Sequence, residues 1–317
     1  MNSEFSRRTE WRRMGSFRVS SELFLDIIMT EYCDCSCPFC IARTAETAPE
    51  DRAAWEQALE EAFRLFDIRN VILLGGEATL DPDFAGKLET LSRILEGRNV
   101  DHLILTTNGN RLRDPAFFRL VTESRINAVN LSRMHWDQTA NDRIFGQRTL
   151  IPEEIEMVNA GLTEAGKTLR LNVNVWRGNL DSIGELETLI RTFRGKCDAV
   201  KLTPLMETTM FDTVPEVTRY TREKAIPEME IASLWDGLTA RHTLLRRASG
   251  VLGFVDYTEA EIFGQRVIMK YAQVEDKYDR ETEIPTLKLY PNGCLNNEWN
   301  FRRDIRERMR RPEAKQD

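Results

Sequence analysis

The chain has 317 residues, 41% of them hydrophobic and 30% charged, with a net charge of −7. That length suits one large domain, or a domain with a substantial appendage, and it buries a full core without staples. No run approaches the roughly 20 apolar residues of a membrane span, and the acidic balance argues against a large nucleic-acid surface.

Residues 1–20 form a polar, basic segment with Arg7, Arg8, Arg12 and Arg13. It reads as solvated and not as a secretory signal. From residue 21 short apolar runs alternate with amphipathic stretches. Strands are expected at 23–30, 70–74, 102–107, 128–132, 169–176 and 199–205. Helices are expected at 53–66, 83–95, 115–122, 153–165 and 183–193. A strand–helix repeat of about 30 residues is the length of one parallel βαβ unit. Six units without a Gly-rich dinucleotide fingerprint predict an α/β fold, a partial (β/α)6 TIM-like barrel over residues 21–215. Chemistry in such barrels collects at the C-terminal ends of the strands.

Past Pro215 the pattern changes. Residues 206–228 lack periodicity and read as a loop, and 229–247 reads as one long helix. Extended segments are expected at 267–274 and 286–290. Pro291-Asn292-Gly293 then turns the chain into 294–299, a hairpin signal. Residues 216–317 are expected to form an α+β cap over the barrel mouth, ending in a second solvated basic patch from Arg302 to Arg311.

Four of the six cysteines fall within residues 33–40. Clustered cysteines without an export signal point to metal or redox chemistry in a reducing cytoplasm, not to disulfides. Cys33, Cys37 and Cys40 form CxxxCxxC. Three thiolates on one loop can hold three irons of a cubane and leave the fourth iron open. A zinc knuckle is the alternative, but it usually needs a second pair of ligands, and cysteines two residues apart make a cramped cage.

CxxxCxxC after the first strand, with Phe39 before the last cysteine, resembles the radical S-adenosylmethionine (SAM) superfamily. So do Gly75-Gly76-Glu77 after the second strand and Thr106-Thr107-Asn108-Gly109 at the end of the third. Val129-Asn130-Leu131-Ser132 resembles the fourth strand. Residues 172–179, with Arg177-Gly178-Asn179, are similar to the fifth-strand pattern of molybdenum-cofactor-type members. The resemblance covers residues 21–206. It implies a [4Fe–4S] cluster on Cys33, Cys37 and Cys40, with SAM contacts from Phe39, Gly75, Gly76, Glu77, Asn108, Ser132 and Asn172. It implies reductive cleavage of SAM to a 5′-deoxyadenosyl radical, with flavodoxin or ferredoxin as electron donor. The radical would take hydrogen from a small metabolite or a peptide natural product. RNA modification or protein maturation is an alternative, and a non-catalytic iron–sulfur or zinc protein is a third.

The glycines would let backbone approach the methionine end of SAM, and Glu77 would accept from its ammonium group. Three departures stand out. Ala78 replaces a common proline, Arg133-Met134 replaces the usual Leu-Asp, and Cys35 is an extra thiol expected to point away from the cluster. Arg170, Asn172, Asn174 and Trp176 share one face of the fifth strand and should look into the lumen, with Leu169, Leu171, Val173 and Val175 facing helices. Beyond the motifs, Cys294 is a candidate hydrogen-atom donor. His135, with Asp137 and Asn141, is a candidate for substrate binding or proton transfer at the mouth. Tyr257, Tyr271, Tyr290 and Trp299 suit either the cap lining or the core. Cys197 reads as structural, and two leftover cysteines predict a single cluster.

Overall fold

The computed structural model describes residues 11–44, 46–208, 213–249, 256–272, 279 and 281–310. Arg7, Arg8, Val274 and Arg311 lie outside these. Six strands pair in parallel and in chain order: β2 (Phe17–Ile28), β3 (Ile68–Leu74), β4 (His102–Thr107), β5 (Ala128–Ser132), β6 (Thr168–Val175) and β7 (Ala199–Pro204). The crossovers carry α1 (Arg52–Leu65), α2 (Phe84–Ile94), α3 (Pro115–Glu123), α4 (Gln138–Phe145), α5 (Pro152–Glu164) and α6 (Ile183–Phe193). This is the expected partial barrel.

Period-two alternation sorts each strand between two environments. On β6, Leu169, Leu171, Val173 and Val175 are fully buried, while Arg170, Asn172 and Asn174 on the other face keep partial exposure. The apolar face joins one continuous core with Trp55 and Leu59 of α1, Leu88 and Leu91 of α2, and Leu189 and Phe193 of α6. Helix starts are set locally. Asp51, Asp114, Asp137 and Ser182 each accept a backbone N–H of the first turn they precede, satisfying donors that would otherwise lack partners.

The C-terminal region attaches by extending the same sheet at both edges. β10 (Gln265–Lys270) lies parallel to β7, and β9 (Asp256–Ile262) and β8 (Thr243–Ser249) follow it antiparallel. β11 (Glu283–Leu289) lies parallel to β2, and the Asn292-Gly293 turn returns the chain as β12 (Leu295–Asn296), the expected hairpin. Among the described residues β12 and β8 end the sheet without pairing to one another, so the barrel stays open.

Three sequence expectations are corrected. The 206–228 stretch is not all loop: α7 (Pro215–Lys224) starts with Pro215 in its first turn, where the missing N–H does no harm. Its buried stripe is only Val217 and Thr221, too thin to show as periodicity. The helix expected over 229–247 ends early. α8 (Glu228–Thr239) buries Ile231, Trp235 and Leu238, and then the chain turns into β8. Pairing with β9, backed by Arg246–Glu259 and Arg247–Asp236 ion pairs, overrides the helical propensity of Leu244, Leu245 and Arg246. The first barrel strand begins at Phe17, ahead of the expected 23, because β1 (Trp11–Met14) pairs antiparallel with its start.

One buried ion pair fastens the barrel to its mouth. Lys87 of α2 sits 2.5 Å from Asp81, and the two side chains are 4% and 0% exposed. The same ammonium donates to the Met29 carbonyl at 2.8 Å, just where β2 ends. Removing one partner of a buried pair strands the other charge. Asp81→Asn is expected to lower stability by about 3–5 kcal/mol, read as a fall in the urea midpoint, with Lys87→Met/Asp81→Leu losing less than the single change.

Candidate active site

The strand ends of β2 to β7 carry the residues singled out by sequence. After β2 the chain runs through Thr30, Glu31 and Tyr32 into Cys33-Asp34-Cys35-Ser36-Cys37-Pro38-Phe39-Cys40. Its stem is clamped by the glycines after β3. Gly76 N donates to Thr30 O at 2.8 Å and Glu77 N to Tyr32 O at 2.7 Å. A Cβ on Gly75 would stand 2.1 Å from Thr30 O, and one on Gly76 2.3 Å from Tyr32 O. The close approach that demands glycine in the chain itself is to the cysteine-loop stem.

Glu77 is buried, and burial pushes its carboxyl up while hydrogen bonds pull it down. Its oxygens accept from Asn108 N at 2.6 Å, Thr107 Oγ1 at 2.6 Å, Thr79 Oγ1 at 2.7 Å and Thr79 N at 3.1 Å. The carboxylate ties the end of β3 to the end of β4. Asn108 Nδ2 in turn donates to Asp34 Oδ1 at 2.8 Å and to Cys35 Sγ at 3.2 Å. Asn108 thus positions the cysteine loop.

The loop lies across the ends of β5, β6 and β7. Cys37 and Met134, Phe145, Trp176 and Leu205 form one buried cluster, with Cys35, Phe39 and Cys40 packed against it. The Phe39 ring meets Trp176 at 5.1 Å. Ser36 N donates to Phe145 O at 2.8 Å, and Gly146 in the left-handed region makes room for Ser36, whose Oγ would lie 2.0 Å from any Cβ there. Cys35 does not point away. Its Sγ lies within 4.8 Å of Cys33 Sγ and an Asp34 oxygen, and it accepts from Gln147 Nε2 at 2.7 Å. Cys33 is pushed up by its hydrogen bond with Cys35 and by burial, and Cys40 is pushed up by burial. Thiols so held become ligands once a cation takes the charge.

Ser132, the last residue of β5, pairs in register with Asn172 in the middle of β6. Asn172 Oδ1 is buried and has no hydrogen-bond partner in the chain. Asn172 in turn pairs in register with Lys201 of β7, whose ammonium is held well below its usual range by burial, Lys270 and Arg170. Arg170 is tied to Asn130 Oδ1 at 2.7 and 2.9 Å.

The remaining candidates are not gathered here. His135 Nδ1 accepts from Asp137 N at 2.9 Å, which leaves the proton on Nε2, and burial holds the imidazole below its ordinary value. Asp137 caps α4 at Ala140 N, and buried Asn141 accepts from Met134 N and His135 N. These side chains shape their own loop. Cys294 is buried with Ile28, Ala48 and Tyr290 and donates to Arg303 O at 3.6 Å; burial pushes it up to about 12. Cys197 is buried before β7, at the opposite end of that strand from the cysteine loop.

Sequence reasoning missed Gln147, Lys87 and the part played by Arg133. The Arg133 guanidinium is 1% exposed, donating to the carbonyls of His135 and Leu150 at 2.8 Å and to Gln138 Oε1 at 3.0 Å. It braces the turn that follows β5. Only its place in a departure from the resemblance marked it in advance.

The partial barrel thus carries four thiols on one loop at its strand ends, a donor type suited to a metal centre. The radical SAM superfamily model matches residues 27–191, and the chain belongs to that superfamily. A GTP 3′,8-cyclase of Caulobacter vibrioides is 25% identical over 254 residues, covering 73% of this chain and 67% of that protein. One from Aeromonas hydrophila is 25% identical over 199 residues, 60% of this chain and 56% of its own length. Streptococcus suis SuiB bound to the precursor peptide SuiA has the same fold, with a TM-score of 0.60 at 18% identity over 92% of this chain and 64% of that one. The chain therefore spans little more than half to two thirds of these relatives.

The protein is a radical SAM enzyme, and the cofactors of its family are a [4Fe–4S] cluster and SAM. The donor set fits them: soft thiolates on one short loop suit iron–sulfur binding, and the buried, partnerless Asn172 oxygen faces the lumen. Gly76→Ala is expected to cost about 1–3 kcal/mol through overpacking and to lower bound iron although every cysteine remains, measured by thermal unfolding and iron content.

Proposed function

We propose that this chain binds one [4Fe–4S] cluster through Cys33, Cys37 and Cys40 and acts on a small metabolite or a peptide natural product. The observation that carries this is the cysteine loop held rigidly across the lumen by backbone from β3 and side chains from β4 and the α4 end. When bound, the cluster and SAM supply reductive cleavage to a 5′-deoxyadenosyl radical that takes a hydrogen atom from a substrate carbon. The chain's own work is orientation. Phe39 and Trp176 wall the loop on one side, Ser132 at the end of β5 and Asn172 within β6 offer polar groups, and the apolar cluster around Met134 and Phe145 buries Cys37. Cys197 lies at the far end of β7 and Cys294 packs with Ile28, Ala48 and Tyr290, and two further thiols are too few for a second cubane. Flavodoxin or ferredoxin is the proposed electron donor, in a reducing cytoplasm. No helix among the described residues is long and apolar enough to cross a membrane.

A cavity of about 340 Å³ lies beside the loop exit, lined by Ile28, Glu31, Ile41, Gly75, Tyr290 and Trp299. It falls at the small end of ligand pockets and suits a metabolite or one peptide side chain. Anaerobically reconstituted, reduced protein is expected to give a [4Fe–4S]⁺ EPR signal that changes when SAM is added, with release of 5′-deoxyadenosine. A signal indifferent to SAM, or no cluster, would sink the catalytic reading. Alanine at Cys33, Cys37 or Cys40 should abolish both the signal and the product, and iron counting should find one cluster per chain.

A further inference from the structure

We propose that the cavity beside the loop exit binds a free α-amino acid, with the side chain inward and the ammonium and carboxylate groups on Glu46 and Arg302 at the rim. This deepens the proposed function and rests on it, since it takes that cavity as the substrate site and chooses a small zwitterion over the interior of a peptide.

The floor and walls are apolar. Ile28 and Tyr290 are 2% and 4% exposed and share one buried cluster with Ala48 and Cys294. Trp299 and Phe301 pack against that cluster and line the cavity, and the Tyr290 and Phe301 rings stand 6.1 Å apart. Tilted rings around an apolar floor accept an aromatic or branched aliphatic side chain.

The rim carries both signs of charge. Arg302 Nη2 donates to Glu46 Oε2 at 2.6 Å, both residues line the cavity, and their side chains are 46% and 67% exposed. Each is held by its own segment of chain. Thr44 Oγ1 donates to the Glu46 carbonyl at 2.7 Å, Thr44 bridges to Thr213, and Glu31 accepts from Ala48 N. Asn300 Oδ1 accepts from Arg302 N at 2.8 Å, and the Arg302 guanidinium lies over Phe301, 5.1 Å from the ring centre. The pair therefore joins the tail of the cysteine loop to the C-terminal segment at the wet end of the cavity.

A charged rim over an apolar floor complements a molecule that is zwitterionic at one end and apolar at the other. An ion pair this exposed contributes little, so opening it costs little. A substrate carboxylate then takes the place of Glu46 on the guanidinium, and a substrate ammonium takes the place of Arg302 on Glu46. One internal pair becomes two pairs to the ligand, and the net charge of the site is unchanged. A residue inside a peptide brings no charges to make that exchange.

The test is calorimetry on reconstituted full-length protein with SAM present, using probes that share one side chain. L-Phenylalanine carries both charges, 3-phenylpropionate only the carboxylate, phenethylamine only the ammonium, and N-acetyl-L-phenylalaninamide neither. L-Phenylalanine is expected to bind about tenfold more tightly than each of the others, the worth of one hydrogen bond to a charged group. Arg302→Gln should weaken L-phenylalanine and 3-phenylpropionate by a similar factor and spare phenethylamine. Glu46→Gln should weaken L-phenylalanine and phenethylamine and spare 3-phenylpropionate. A merely structural role for the pair would weaken every probe alike and overturn the proposal. So would tightest binding of the blocked amide, or no binding of L-phenylalanine. Binding of L-phenylalanine to SAM-free protein that is lost when SAM is added would also overturn it, because the cavity would then belong to the methionine end of SAM. A flat pattern in protein that still releases 5′-deoxyadenosine sinks this inference alone. A cluster indifferent to SAM sinks the catalytic reading, and with it the substrate role of the site, even where the binding pattern holds.

Discussion

Two bare Cα atoms hold the mouth of this barrel together. Gly75 and Gly76 bring the exit of β3 against Thr30, Glu31 and Tyr32 so closely that their side-chain positions are taken by carbonyl oxygens. Two backbone hydrogen bonds lock the contact. The cysteine loop leaves from this seam, so its direction over the lumen is a property of backbone packing. Lys87 reinforces the seam from below through the Met29 carbonyl, and Glu77 carries it sideways to β4. A carboxylate with four donors in a buried site resists displacement, because any donor left behind loses its partner away from water.

The far side of the loop is held by a second structure built on Arg133. Its guanidinium gathers the carbonyls of His135 and Leu150 and the Gln138 side chain, and Asn141 accepts from two backbone N–H groups inside the same turn. That order fixes α4, whose end presents Phe145, Gly146 and Gln147 to Ser36 and Cys35. The substitution of Arg133-Met134 for the usual residues thus exchanges one local acid for a buried cation satisfied by carbonyls, and Met134 joins the apolar cluster around Cys37.

The six barrel strands were legible as short apolar runs between amphipathic stretches, and β6 adds a clean alternation, with Leu169, Leu171, Val173 and Val175 on its buried face. The CxxxCxxC spacing of Cys33, Cys37 and Cys40 was legible because thiol spacing survives without knowledge of the fold. The rest is set by contacts distant in sequence. Nothing local in Thr243–Ser249 marks it as a strand until β9 lies beside it. Gly75 and Gly76 were found, but their steric partner could not be, since it depends on β2 and β3 being neighbours. Cys35 was misjudged for the same reason: Asn108 and Gln147 reach it only after folding.

The pairing of β11 with β2 bears on how the molecule comes into being. β2 is the first strand of the barrel to emerge during synthesis, and β11 the last of the parallel run. On the ribosome one long edge of β2 therefore waits, with its N–H and C=O groups unpaired, until β11 has been made. Exposed edges of this kind recruit other strands, and contacts so far apart in sequence form slowly. The cysteines hang from the exit of that same unfinished strand, so metal loading in the cell would proceed in order behind C-terminal closure, making late folding and cofactor maturation a single event.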